Sequence, residues 1–219
     1  MATRALLAEL GGACAAQGAP AARFESVGGV DAARRVAAGE RFDVVVLAAD
    51  AVDGLAAGGH VDATSVTPLV RSGVAVAVRA GARRPELSSE AAVKAAVLAA
   101  PRIGYSTGPS GTALLKLFDR WGIAEPLRDR LVQARPGIPV ARLVADGEVE
   151  LGFQQLSELL DVPGIAIVGD LPEAIRITTV FSAAVCTNAA QPDLARALIA
   201  CLAAPQTADI KRRHGMDAA

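Results

Sequence analysis

The sequence predicts an α/β protein of two lobes joined by two long strands. Three observations predict it. Helix-like and strand-like stretches alternate along most of the 219 residues, the pattern of helices packed on a sheet. Two β-rich stretches, 66–81 and 175–187, are much longer than the strands around them. They bracket a central block, so residues 1–80 with 181–219 are expected to form lobe I and residues 81–180 lobe II. Finally, the 52% of hydrophobic residues are mostly Ala, Val and Leu, which calls for close helix–sheet packing. A ligand cleft between the lobes goes with this layout.

Each element has its own signal. Leu6, Leu7 and Leu10 make a helical stripe in 1–16. Residues 23–27 read as a short strand, and 30–38 as a helix with Val36 inward. The unbroken apolar run "DVVVLAA" at 43–49 reads as a buried parallel strand. A helix at 50–57 is stopped by Gly58 and Gly59. A helix is expected over 88–99, with serine caps and an early Glu90. Strands follow at 150–155 and 165–168, and helices at 140–146 and in "SELLD". Pro192 and Pro205 open the last two helices, 192–203 and 205–214.

The most informative stretch is "IGYSTGPSGTALLKLFDRWGI", 103–123. A strand leads through a glycine-rich turn into a helix whose inner stripe is Leu114, Leu117, Phe118 and Trp121. The unpaired N–H groups of such a helix start attract anions, although a Ser and Gly there also serve plain capping. A second turn of this kind, "ESVGGVDAARRV" at 25–36, lies in the other lobe. Neither is a P-loop, since no Gly-Lys pair occurs. Residues 108–112 also miss the GxSxG pattern of a nucleophile elbow, having Thr112 in the last place, and no GxGxxG is present.

Composition excludes other classes. The net charge of -1 and the absence of a basic run give no footprint for nucleic acid. No segment has the roughly 18 apolar residues of a membrane span. Cys14, Cys186 and Cys201, an odd number without CxxC spacing, read as small buried apolar residues rather than a disulfide framework. His60 and His214 have no metal-ligand spacing. No metal or cofactor is expected.

The segments "DVVVLAADAVDGL", "LVRSGVAVAVRAGA", 103–123, "VADGEVELGFQQLSELL" and "ITTVFSAAV" together resemble, in order, the molybdate-type substrate-binding proteins of ABC importers. The resemblance implies the type II periplasmic-binding-protein fold, with a small anion held by N–H and hydroxyl donors. It places ligand contacts at Ser26, Gly28 and Gly29, at Thr107, Pro109, Ser110 and Gly111, at Val140, and at Gln155, where the family has a tyrosine. An amide there donates and accepts at once, which suits a carboxylate as well as a molybdate-like oxyanion. Arg71 is a candidate carboxylate clamp, its plain alternative being an exposed strand-end arginine. Ser182 on the return strand is a further candidate. The resemblance also implies an opening strand that is missing here: either the true start, with that strand and any export signal, lies upstream of Met1, or this form lacks part of its site. "MATRALLAELGGACAAQG" is itself no signal peptide. Periplasmic location follows from the family, and cytoplasmic location from this start taken as genuine.

The expected function is a solute-binding protein for a small oxyanion or a di- or tricarboxylate, a monomer serving an ABC permease. The alternative is an isomerase of a small tricarboxylate on the same fold, as in proteins that isomerise aconitate. An isomerase needs a base, and Glu25, Asp50 and Glu158 are the carboxylates to weigh. Each has a plain reading, as a strand residue, a helix cap and a first-turn acid respectively.

Overall fold

A computed structural model describes residues 2–135 and 137–219. In chain order it contains helices α1 (Arg4–Ala16) and α2 (Gly29–Ala37), strand β1 (Val44–Ala48), α3 (Ala49–Ala57) and the long strand β2 (Thr67–Arg79). Then come α4 (Glu90–Ala99), β3 (Ile103–Tyr105), α5 (Pro109–Arg120), α6 (Ala124–Leu127), β4 (Leu131–Gln133) and α7 (Val140–Ala145). The chain continues with β5 (Leu151–Gln155), α8 (Leu156–Leu159), β6 (Ile165–Asp170) and β7 (Thr178–Val185), and closes with α9 (Pro192–Ala203), α10 (Ala208–Arg213) and β8 (Asp217–Ala218). It divides into two compact units. Unit 1 is Met1–Ser72 with Thr179–Ala219, and unit 2 is Gly73–Thr178. Both unit boundaries fall in long β segments, β2 and the start of β7.

In unit 1, β1 pairs antiparallel with β7 from Val44↔Val185 to Ala48↔Phe181. The apolar run of β1 is therefore not the mark of a parallel strand, as its sequence suggests. It is apolar because both faces are covered. Val45 and Leu47 pack with α2 and α3 residues Val36, Val52 and Leu55. Val44 and Val46 pack on the other side, against a cluster that includes Leu6, Leu10 and Leu198. Residues 23–27, expected as a strand, form no regular element and are bonded to no strand among the described residues. A strand needs a neighbour for its N–H and C=O groups. Here the segment is held by side chains instead: Arg35 bonds Glu25 at 2.7 Å and stacks on Phe42 at 5.0 Å.

The cysteine expectation is corrected. Cys14 of α1 and Cys201 of α9 form a disulfide, with Cα atoms 6.0 Å apart. They are 187 residues apart in sequence, so no local spacing could reveal the pair. The packing of two helices against each other creates it. Cys186 is free and buried, and burial, with the Asp43 charge, pushes its thiol up to about 11.

In unit 2 the strand order is β6-β2-β5-β3-β4. β5 and β6 flank β2 antiparallel, while β3 runs parallel to both β4 and β5. The core is Val93 and Val97 of α4, Leu114, Leu117 and Phe118 of α5, and Ile103, Leu151 and Phe153 of the strands. Phe118 meets Phe153 edge-on at 6.3 Å. Trp121 is half-buried, its indole N–H bonded to Glu90 at 2.5 Å. Gly122, at φ 68°, ends α5 in the left-handed conformation that glycine adopts without strain.

One contact sets how α7 lies on this sheet. Gly104 and Gly152 sit opposite each other in β3 and β5. A Cβ on Gly104 would stand 2.9 Å from Val140, and one on Gly152 would stand 2.5 Å from Val144. Two missing side chains thus let α7 rest on the strand backbones.

Candidate functional site

Because β3, β4 and β5 are parallel, their C-terminal ends lie along one end of the unit 2 sheet. That is where open α/β sheets place ligands. β3 leads into the 106–111 turn, β4 leads towards α7, and β5 leads straight into α8. Thr107, Pro109, Ser110, Gly111, Val140 and Gln155 are all brought to this end.

At the first turn, Gly111 packs against the carbonyl of Ser106, where a Cβ would stand 1.9 Å from the oxygen. Only glycine fits. Ser110 is buried, its hydroxyl 2.9 Å from that of Ser106. The N–H groups of Gly111 and Thr112 are used by the Gly108 carbonyl. The Ser110 N–H has no acceptor among the described residues. Pro109 has no N–H to offer, so it sets the first helical turn rather than donating. Thr107 is exposed.

At the β5 end, Gln154 and Gln155 are both buried at 3% exposure, although two adjacent amides would ordinarily seek water. The Gln154 Oε1 accepts the Ala141 N–H at 3.3 Å, joining β5 to the first turn of α7. That commits its oxygen and leaves its NH₂ group to donate. The next polar residues are Ser157 and Glu158. The Ser157 hydroxyl is buried without a partner among the described residues. Burial raises the Glu158 carboxyl above its ordinary value.

In unit 1, Ser26, Gly28 and Gly29 share one turn. Ser26 is exposed, and Gly28 is the residue before α2. Asp31 lies at that helix start and pairs with Arg34 at 2.7 Å. Arg71 is exposed on β2, its guanidinium donating to the Ala218 carbonyl of β8 at 3.0 Å. Ser182 is buried in β7 opposite Leu47. Arg71 and Ser182 thus stand on separate strands, apart from the glycine turn in sequence. Among the described residues no cluster of His, Cys, Asp or Glu has metal-site geometry. A hollow of about 300 Å³ on unit 2, which includes Lys116, Arg120 and Arg176 in its lining, lies by the C-terminal half of α5, away from the 106–111 turn.

The residues that sequence reasoning missed are Ser106 and Ser157. Both lie inside segments quoted for the resemblance, and each stands out only through its surroundings in the fold.

A family profile described as bacterial extracellular solute-binding protein matches residues 1–217. An aconitate isomerase from a Pseudomonas species is 40% identical over 185 residues, which cover 83% of this chain and 70% of that protein. A molybdate-binding protein, ModA, of Azotobacter vinelandii is 29% identical over 115 residues, 50% of this chain and 44% of that one. Among solved structures, the periplasmic molybdate-binding protein of Azotobacter vinelandii superposes with a TM-score of 0.79 at 20% identity, covering 98% of this chain and 94% of that chain. The tungstate-binding protein TupA of Desulfovibrio alaskensis gives 0.66 at 18% identity, covering 93% and 86%. These structural likenesses establish the fold.

Proposed function

The chain belongs to the bacterial extracellular solute-binding proteins, and from that premise we infer that it binds a small organic polycarboxylate, with aconitate the first candidate. The observation that carries this is the 40% identity to an aconitate isomerase over 83% of the chain. The molybdate-binding relative is less similar and matches half of it. The chemistry of unit 2 supports the same reading. Buried amides at Gln154 and Gln155 and the Ser106–Ser110 hydroxyl pair offer donors and acceptors together, which suits carboxyl and hydroxyl groups better than a fully deprotonated metal oxyanion. In unit 2 the proposed ligand residues are Thr107, Ser110, Gly111, Val140 and Gln155, with Pro109 shaping the turn. In unit 1 they are Ser26, Gly28, Gly29 and Ser182. Arg71 is the weakest of the proposed contacts, because its guanidinium is engaged by Ala218.

The Cys14–Cys201 disulfide supports work in an oxidising compartment outside the cytoplasm. Delivery to an ABC permease is the role this reading assigns to a purely binding protein. A second reading, isomerisation of a tricarboxylate, is favoured by the same relative and by the half-buried Glu158.

The test is a thermal-shift titration with cis- and trans-aconitate, citrate, molybdate, tungstate and sulfate. A ligand at one hundred times its Kd stabilises by about 2.7 kcal/mol, which raises the Tm of a protein of this size by roughly 5–10 °C. A shift with aconitate and none with molybdate is expected. A shift with molybdate or tungstate alone would overturn the polycarboxylate reading.

A further inference from the structure

We propose that Arg135 makes unit 2 selective for a polycarboxylate, by gripping one carboxylate of the ligand through its guanidinium. This rests on the polycarboxylate reading and deepens it, since it names the cation that the charge of such a ligand calls for.

The strand register leads to this residue. β3 pairs with β4 as Tyr105↔Gln133 and with β5 as Tyr105↔Phe153. The ladder runs past the end of β4, where the Ala134 N–H donates to the Tyr105 carbonyl at 2.9 Å. Carried on by two residues, the same register sets Thr107 between Arg135 and Gln155. Neighbouring strands stand about 4.8 Å apart, so this row of backbones spans about 10 Å, within reach of one small polycarboxylate.

The row also has one face. Side chains alternate along a strand. Gln154 faces α7, whose Ala141 N–H its oxygen accepts. Phe153 faces α5, where it meets Phe118 at 6.3 Å, and Tyr105 packs on the same core. Gln155, two residues beyond Phe153, shares that face. Thr107 and Arg135 stand in the same relation to Tyr105 and Gln133. At this end the α5 side carries the helix start with its buried Ser110.

Arg135 is fixed through its backbone and free at its tip. Its carbonyl accepts the Ile138 N–H at 2.9 Å, and Gly137, at φ 82°, lies inside the tight turn that this bond closes. Its side chain is exposed and forms no ion pair with a described residue. Segments 106–111, 134–140 and 155–158, at the ends of β3, β4 and β5, contain one cationic residue, and it is Arg135. The side-chain donors beside it, Ser106, Thr107, Ser110 and Gln155, are neutral. Every carboxyl of a tricarboxylate is ionised near neutral pH, and a planar guanidinium meets a carboxylate with two parallel N–H donors. Arg71, the clamp expected from the sequence, already donates to the Ala218 carbonyl.

The experiment titrates the full chain with trans-aconitate and with citrate by isothermal titration calorimetry, at low and at high salt, and records the Tm of each unliganded variant. Arg135→Ala is expected to raise the Kd by about 10- to 100-fold and to flatten its dependence on salt. Its unliganded Tm should match wild type, because the side chain is exposed. Arg135→Lys keeps the charge without the fork and should fall between the two. Lys116→Ala, which removes one charge away from this end of the sheet, should bind as wild type does. If wild type binds neither polycarboxylate, the binding reading itself fails. If it binds, but Arg135→Ala binds within about twofold of it or Lys116→Ala weakens binding as much as Arg135→Ala, the assignment of Arg135 is overturned while the binding reading stands.

Discussion

Breaking the Cys14–Cys201 disulfide is expected to lower the melting temperature by roughly 10 °C. The bridge joins α1 to α9 across 187 residues of sequence. In the chain-entropy treatment a loop of that length loses about 18 cal/mol/K of unfolded-state entropy, or about 5 kcal/mol at 25 °C. Removal of native disulfides usually costs 2–5 kcal/mol, so about 4 kcal/mol is expected here. For a protein of this size each kcal/mol moves the Tm by roughly 2–4 °C. The measurement compares wild type with Cys14→Ala/Cys201→Ala by calorimetry and by urea unfolding without reductant. A thiol count on protein exported to an oxidising compartment completes it. Native protein should show no fast-reacting thiol, because Cys186 is buried and its thiol is pushed up to about 11. Unfolded, unreduced protein should show one. Three thiols on unfolding, or a double variant that melts within about 1 °C of wild type, would refute the reasoning.

Two other outcomes follow from the geometry. Gly111→Ala would put a methyl 1.9 Å from the Ser106 carbonyl oxygen, so the turn must open. A loss of about 2 kcal/mol in urea unfolding is expected, together with weaker aconitate binding, and an unchanged Tm would contradict it. The Arg35 guanidinium holds both Glu25 and Glu40 below their ordinary 4.5. Depressed carboxyl groups stabilise the fold fully above pH 4.5, and that contribution is lost as pH falls through their lowered values. Arg35→Met should therefore melt lower at neutral pH and lose less on acidification from pH 5 to pH 3. Parallel Tm-versus-pH curves for the two proteins would rule this out.

The fold was legible wherever a local signal carries its own explanation. Pro109, the stripe Leu114–Leu117–Phe118 and the stop at Gly122 define α5 within one turn of chain, and the two long β segments mark the strands that change unit. The limits show where structure depends on neighbours. Residues 23–27 have strand-forming character, but no described strand stands beside them to accept it. β1 is apolar because α1, α2, α3 and α9 cover its two faces, and apolar character does not record strand direction. β8 has two residues, too few for any period. The Cys14–Cys201 pair exists only through helix packing. At the candidate site, the glycine turns and the departure at Gln155 could be read directly. The bond from the Ala141 N–H to Gln154, 13 residues on, could not, since it depends on where α7 settles.

Where α7 settles is decided by atoms that are absent. Gly104 and Gly152 give the helix a bare seat, and a methyl at either position would lift it by about 1 Å to recover normal contact distance. Such a lift would carry Val140 and the Ala141 N–H with it and pull apart the bond that anchors Gln154. The seat acts as a machinist's datum: the height of the Ala141 N–H above the sheet is referenced to it. A single carbon added at the seat therefore displaces the Ala141 N–H and, with it, the anchor of Gln154.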